Sequence, residues 1–246
     1  MECDNDPKPF YLHGSTTGVL LLHGFTSTPQ SVAYVGREIH ATTGATLCVP
    51  LLAGHGETPD ALARTGYGDW LASAETALDQ LRLNCDRVVV AGLSLGGTIA
   101  LNLAIRFPER VDRVISINGS TGIYRPDQVA GLFTPQSSGF QQGIGSDISH
   151  PSRREVCYDR IPVISMRERF ILTGATGIML PDLKQPILVF QSRKDHVVAP
   201  ENGLRIVRDV GSSDVTLQWL DRSFHVATLD HDRDEIVARC SKFISS

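Results

Sequence analysis

Short apolar runs that end in glycine or proline alternate along the chain with stretches whose apolar residues recur at helical spacing. This alternation is typical of a parallel sheet whose strands are joined by helices. Most runs hold few polar positions, which indicates strands buried on both faces. The predicted strands are Val19–His23, Thr46–Pro50, Arg87–Ala91, Val114–Ile117, Ile187–Gln191 and Val215–Leu220. The pattern therefore predicts an α/β fold with a mostly parallel sheet and helices on both faces.

Helical spacing of apolar residues occurs in four segments. The predicted helices are Pro29–Ala41, Asp69–Leu83, Leu95–Phe107 and Glu235–Ile244. Thr28 is expected to cap the first of these, with proline at the first helical position. Acidic residues at Asp230, Asp232 and Asp234 precede the last helix, where they favour the positive end of its dipole.

This periodicity stops between Thr121 and Asp182, in a stretch rich in glycine, serine, glutamine and proline. A non-repetitive segment of that length inside a compact domain is usually functional when it is not a linker. Its apolar residues either attach it to the core or line an acyl pocket, and both readings stay open at this point. We expect an α/β core of residues 1–120 and 183–246 with a cap insertion at residues 121–182.

The length of the chain limits the number of domains, and its charge limits the kind of molecule that it binds. A chain of 246 residues fits one domain with an insertion. The net charge of −4 is spread without blocks of like charge, so no basic surface is expected for nucleic acid or anionic membranes. Small molecules are the expected partners, and the sequence leaves the oligomeric state open.

The N-terminal stretch carries Asp4 and Asp6 where a signal peptide would need basic residues and then an apolar run. The longest apolar runs are far below the roughly 20 residues that a membrane helix requires. The five cysteines lie far apart and form no CxxC pair, which disfavours a disulfide framework or a zinc site. These features predict a cytoplasmic protein without an integral membrane segment.

The sequence Gly92-Leu93-Ser94-Leu95-Gly96 places a G-x-S-x-G motif directly after a predicted strand and directly before a predicted helix. This is the context of a nucleophile elbow, in which a strained turn projects the serine hydroxyl. Small flanking residues are required because side chains there would clash. The motif predicts that Ser94 is a nucleophile.

A serine needs a base to accept its proton and a third group to hold that base. The chain order that accompanies this elbow is serine, acid, histidine, with the acid after a late strand and the histidine after the last. Asp195 and His225 occupy these positions. Asp221 and Asp230 compete for the acid, but Asp221 lies only four residues before His225, and Asp230 is expected to cap the last helix.

Negative charge that develops on the substrate oxygen needs two preset donors. The backbone amide of Leu95 follows the nucleophile, and that of Phe25 follows the first long strand, so these two amides are the expected oxyanion donors. No pair of histidines shows the spacing of a metal-binding motif such as HExxH, and no metal or other cofactor is expected.

Several short motifs occur together in this order. They are HGF at His23–Phe25, GHG at Gly54–Gly56, DW at Asp69–Trp70, GLSLGG at Gly92–Gly97, RKDHVV around Asp195 and FHVATLD around His225. In these motifs the chain resembles the α/β-hydrolases, within them the bacterial carboxylesterase and monoacylglycerol-lipase-like group. The resemblance spans Val19 to Ile244. It implies a Ser-Asp-His triad, oxyanion amides at Phe25 and Leu95, a small movable cap, no cofactor and hydrolysis of carboxylic esters.

The predicted function is therefore that of a serine carboxylesterase acting through an acyl-enzyme on short- to medium-chain esters, with monoacylglycerols among the candidates. Thioesterase, C–C bond hydrolase, lactonase and perhydrolase activities need the same triad and stay open. A non-catalytic ligand-binding protein of the same fold is the alternative outside enzymes. The serine at position 94 excludes the aspartate-nucleophile dehalogenases and epoxide hydrolases.

Overall fold

The computed structural model describes residues 6–134 and 136–246. The strands in this part of the chain are β1 (Phe10–Leu12), β2 (Ser15–Leu22), β3 (Ala45–Val49), β4 (Arg87–Leu93), β5 (Arg113–Ile117), β6 (Phe140–Gln142), β7 (Arg160–Pro162), β8 (Ile187–Ser192) and β9 (Val215–Leu220). The helices are α1 (Gln30–Thr43), α2 (Pro59–Leu62), α3 (Tyr67–Arg82), α4 (Leu95–Arg106), α5 (Pro126–Ala130), α6 (Val163–Met179), α7 (Glu201–Asp209) and α8 (Arg233–Ser245).

In the described part of the chain, seven strands form the main sheet in the order β1-β3-β2-β4-β5-β8-β9, while β6 and β7 pair only with each other. All neighbours in the main sheet are parallel except β1, which runs antiparallel to β3 at the edge. The α/β fold and all six predicted strands are confirmed, with end shifts of a few residues at most. The edge strand β1 was not predicted, because three half-buried residues carry too little pattern.

Side chains of the central strands alternate between two apolar cores. Val19 and Leu21 belong to the core that α1 and α8 cover, whereas Leu20 and Leu22 belong to the core that α3 and α4 cover. This is the period-two alternation of a strand with both faces buried. It explains why the predicted strands have few polar positions.

Several features of the helices differ from the sequence-based expectations. Helix α1 begins at Gln30 with Pro29 as its N-cap and no side-chain cap. The expectation that Thr28 caps it is wrong, because the Thr28 hydroxyl instead donates to the carbonyl of Val156 at 3.4 Å. Helix α7 was not predicted, and neither was the 17-residue helix α6 inside the insertion (residues 121–182).

The glycines of α6 explain why its pattern is weak. Gly174 and Gly177 lower helix propensity, as do its β-branched residues. A Cβ atom at Gly177 would lie 1.9 Å from the carbonyl oxygen of Thr121, so this glycine allows α6 to approach the chain that leaves β5. Packing against the core therefore stabilises a helix that local preference does not specify.

Parallel strands bring the ends of β4, β8 and β9 to the same edge of the sheet. The insertion begins after β5, at this edge of the sheet, and leads to the start of β8 at the opposite edge, because β5 and β8 are parallel. Among the described residues, no helix is long and apolar enough to cross a bilayer.

Candidate active site

Ser94 lies in the turn between β4 and α4 with φ 55° and ψ −116°, a conformation that L-residues rarely adopt. The residues two positions before and after Ser94 must be glycines. A Cβ atom at Gly92 would lie 2.2 Å from the carbonyl carbon of Gly96, and one at Gly96 would lie 2.3 Å from the carbonyl oxygen of Leu22. The turn is therefore held in its strained form by close packing of backbone against backbone.

His225 and Asp195 meet beyond the ends of β9 and β8. Nδ1 of His225 lies 2.8 Å from Oδ2 of Asp195, and both side chains are buried. The other carboxylate oxygen of Asp195 accepts hydrogen bonds from the amides of Val197 and Val198 at 2.9 and 2.7 Å. These bonds fix the carboxylate, which in turn orients the imidazole.

Ser94 and His225 line one pocket together with the turn at Gly24 and Phe25. A Cβ atom at Gly24 would lie 3.6 Å from the Cβ of Ser94, which shows how closely this turn approaches the serine. Within the described part of the chain, the amides of Phe25 and Leu95 donate no hydrogen bond to another protein atom. The structure thus brings all five predicted site residues to one place.

The competing aspartates have other partners. Asp221 forms an exposed ion pair with Arg193 at 2.9 Å. The expectation that Asp230 caps α8 is wrong, because the N-cap residue of that helix is Asp232. The Asp230 carboxylate instead accepts hydrogen bonds from four backbone amides, which are those of Ser149, His150, Phe224 and His231. It joins the loop that carries His225 to the insertion.

Two further residues that hold the His225 loop were not identified from the sequence. The side-chain amide of Asn118 donates to the carbonyl of His225 at 2.7 Å and to Oγ of Ser192 at 3.0 Å. The carboxylate of Asp147, in the insertion, accepts from the backbone amide of His225 at 3.0 Å. Asn118 has a positive φ of 49°, but the sequence does not reveal this conformation. No local pattern therefore pointed to Asn118 or Asp147.

The charged groups around His225 raise the pKa of its imidazole. Burial by itself lowers its pKa, but the charge and hydrogen bond of Asp195, together with the charge of Glu155, outweigh that effect, and the pKa is raised above the usual value. The charge of Arg169 opposes this rise. The pKa of Glu155, which lines the same pocket, is also raised, mainly by burial.

His23 and His55 are fully buried next to the turn that carries Phe25. Burial lowers the pKa of His23 to about 3 and that of His55 to about 4, so both are neutral near pH 7. Nε2 of His23 accepts from the amide of Leu52 at 3.1 Å, while its Nδ1 lies 2.9 Å from the carbonyl of Gly24. These contacts brace the turn that carries Phe25.

Among the described residues, no group of three or more His, Cys, Asp or Glu side chains could hold a metal ion. The four described cysteines, Cys48, Cys85, Cys157 and Cys240, are free thiols. Cys3 lies outside the described residues.

Comparisons with known proteins show the family of the chain. Residues 18–144 match the family model of the alpha/beta hydrolase fold. The chain is 36% identical over 239 residues to the thermostable monoacylglycerol lipase of a Bacillus species (strain H-257), covering 97% of this chain and 94% of the relative. It is 27% identical to a carboxylesterase of Bacillus subtilis (strain 168), with 93% and 92% covered.

A solved structure from a study of two metagenome-derived lipolytic enzymes superposes with a TM-score of 0.94 at 38% identity, and 97% of each chain is covered. The match therefore extends over nearly the whole chain. On these findings, the chain belongs to the α/β-hydrolase family.

Proposed function

We propose that the protein is a serine carboxylesterase that hydrolyses short- to medium-chain carboxylic esters. Ser94 is the nucleophile, His225 the general base and Asp195 the acid that orients His225. The observation that carries the proposal is the 2.8 Å contact between His225 and Asp195 beside the pocket that Ser94 lines. The similarity to a lipase, a carboxylesterase and a lipolytic enzyme supports ester bonds as the target.

In the acylation step, Oγ of Ser94 attacks the ester carbonyl carbon while Nε2 of His225 takes the hydroxyl proton. The carbonyl oxygen becomes an oxyanion, which the amides of Phe25 and Leu95 stabilise. When the tetrahedral intermediate collapses, the C–O bond to the alcohol breaks and His225 donates its proton to the departing oxygen. Asp195 stabilises the imidazolium that forms in between.

In the deacylation step, water takes the place of the alcohol. His225 removes a proton from the water, whose oxygen attacks the acyl-enzyme carbonyl, and the same two amides bind the second oxyanion. Collapse releases the carboxylic acid and returns the proton to Oγ of Ser94. No group besides these residues and water is needed for the atoms and charges to balance.

We also propose that residues 121–182 act as a cap on a core of residues 1–120 and 183–246. Ile144 and Gly145 of this segment line the pocket of Ser94. The amide of Tyr158 donates to the carbonyl of Thr26 at 3.1 Å, next to the proposed oxyanion turn. A cap of this size encloses a limited apolar tail, which favours short and medium acyl chains.

The monoacylglycerol lipase relative favours monoacylglycerols as candidate substrates within this class. Cytoplasmic localisation stays a prediction, to be tested by cell fractionation.

The decisive experiment combines covalent labelling with a substrate panel. A fluorophosphonate should label Ser94, located by mass spectrometry, and the wild type should hydrolyse p-nitrophenyl esters and monoacylglycerols. Ser94→Ala should lose labelling and at least about 10³-fold in kcat while its circular dichroism spectrum is unchanged. Substantial esterase activity in this variant, or labelling without turnover of any ester, would contradict the proposal.

A further inference from the structure

Arg169 is a buried cation without a counter-ion. It lies on α6 and is 8% exposed, and its side chain forms no hydrogen bond or ion pair with any residue in ranges 6–134 and 136–246. Its guanidinium carbon lies 4.9 Å from the ring centre of the adjacent Phe170. Placing a guanidinium away from water without acceptors costs free energy, so such groups are normally paired.

The nearest acids do not neutralise Arg169. Asp195 acts on it through charge, but both oxygens of that carboxylate are already engaged, one with His225 and one with two backbone amides. Glu155 lines the same pocket yet forms no ion pair with Arg169, and it interacts with Ser27 and Cys157 instead. The guanidinium therefore keeps its hydrogen-bond donors available to a ligand.

Burial lowers the pKa of Arg169 only to about 10. The side chain therefore keeps its positive charge near pH 7. Arg169 lines the same pocket as Ser94 and His225, and its charge acts to lower the pKa of His225. An anionic group bound there would be close to the reacting ester.

Two pockets meet at Arg169. One is the pocket of Ser94 and His225, and the other, which we name the side pocket, lies next to it. The side pocket is lined by Ser120, Tyr124, Arg125, Thr173 and Asn202 among others. None of the described residues that line it is acidic, so the charged side chains facing it are the two arginines.

We propose that Arg169 binds a carboxylate of the substrate, so that esters carrying a second, free carboxylate are preferred over equivalent neutral esters. This inference rests on the proposed esterase function and adds its substrate class. A guanidinium offers paired donors that match the two oxygens of a carboxylate. Half-esters of dicarboxylic acids carry this charge on the acyl side, and esters of hydroxy acids carry it on the alcohol side.

The test compares matched substrates. On the acyl side, monomethyl esters of succinic, adipic and suberic acid are paired with the same methyl esters in which a carboxamide replaces the free carboxylate. On the alcohol side, 4-acetoxybutanoate is paired with 4-acetoxybutanamide. The readout is the ratio of kcat/KM for the charged ester to kcat/KM for its neutral partner. This ratio cancels general damage to the active site.

The wild type should favour the charged member of at least one pair, and the pair that does so identifies the side of the ester that carries the charge. Arg169→Met should lower that ratio about 10- to 100-fold, as expected for loss of hydrogen bonds to a charged group. Arg169→Lys should have an intermediate ratio. A ratio unchanged in Arg169→Met, or a wild type that favours the neutral member of every pair, would overturn the inference.

A matched control is available on the same helix. Arg167 donates to the carbonyls of Leu132 and Ser137 and lines neither pocket. Arg167→Met therefore disturbs the insertion without removing the proposed anion site, and its charged-to-neutral ratio should equal that of the wild type. If Arg169→Met does not fold, Arg169→Gln, which keeps polar donors but no charge, takes its place.

A binding measurement separates this inference from the proposed function. Titration calorimetry of adipate and adipamide against Ser94→Ala should show adipate binding more tightly, and the double variant with Arg169→Met should lose the difference. If no ester is turned over but this difference is found, the esterase proposal fails and the anion site stands. If esters are turned over and adipate binds no better than adipamide, the anion site fails alone.

Discussion

The carboxylate of Asp147 accepts a hydrogen bond from the backbone amide of His225 at 3.0 Å, although 78 positions separate the two residues in sequence. The same carboxylate accepts from the amide of His196 at 3.2 Å, and its second oxygen lies 2.8 Å from Nδ1 of that histidine. Asp147 belongs to the insertion and His225 to the loop after β9. The insertion therefore fixes the backbone of the proposed general base.

We expect Asp147→Ala to lower kcat about tenfold or more with a smaller change in KM, because it leaves the amide of His225 without its acceptor. Asp147→Asn keeps one oxygen and should recover part of the activity. The matched control is His196→Ala, which removes the imidazole contact of Asp147 but keeps the backbone amide of residue 196, and should leave kcat within about twofold of wild type. Equal losses in Asp147→Ala and His196→Ala would point to a general disturbance of the insertion.

The pH dependence should report the environment of His225. Only neutral imidazole accepts the serine proton, so a raised pKa moves the acidic limb of kcat/KM above the value of an ordinary histidine, about pH 6.5. Activity should fall as pH decreases through this limb. A profile that is flat from pH 5 to pH 8 is incompatible with this assignment.

Asp195→Asn should reduce kcat by up to about 10⁴, because the amide no longer holds the correct tautomer or stabilises the imidazolium. The residual activity should show its acidic limb at lower pH than the wild type, since a charge that raises the pKa of His225 is gone. A limb that does not move would mean that Asp195 acts only through geometry.

Asp221 and Asp230 have different environments. Asp221 forms an exposed ion pair, whereas the buried carboxylate of Asp230 accepts hydrogen bonds from backbone amides. Asp221→Asn should leave kcat close to wild type, because within residues 6–134 and 136–246 its side chain contacts only Arg193, in an exposed ion pair. Asp230→Ala should lower the free energy of unfolding by about 2 kcal/mol or more, since it leaves buried amides of the His225 loop and the insertion without acceptors. Kinetic assays measure kcat of Asp221→Asn, and chemical denaturation measures the free energy of unfolding of both variants. If Asp230→Ala were as stable as Asp221→Asn, this contrast would be refuted.

Acyl-chain preference tests the proposed cap. Across p-nitrophenyl esters from C2 to C16, kcat/KM should peak at short to medium length, because the pocket beneath the insertion encloses a limited tail. A maximum at C16 would show that residues 121–182 leave a long channel open.

Much of this architecture follows from local sequence. The six predicted strands needed only runs of apolar residues, and the elbow needed only glycines around Ser94. Backbone strain at Ser94 is tolerated because Gly92 and Gly96 permit the contact, and that requirement is visible in five consecutive letters. Asp195 and His225 were found by their order along the chain, since parallel strands bring their ends to one edge.

The groups that support the site were not visible in this way. Asp147 and Asn118 act on His225 through hydrogen bonds to its backbone amide and carbonyl, which every residue type except proline would offer at position 225. Asp230 was expected to cap a helix because its acidic neighbours resemble a capping pattern, yet it binds amides on two separate loops. Such roles depend on which distant segments meet.

Local periodicity and turn chemistry thus determined the α/β class, the elbow and the order of the proposed triad, because each is encoded within a few consecutive residues. The tertiary structure alone decided the folding of α6, the attachment of the insertion to the His225 loop and the burial of Arg169 beside the pocket. These depend on contacts between segments far apart in the chain. A single sequence does not specify such contacts residue by residue, because any one of many polar side chains satisfies the same local pattern.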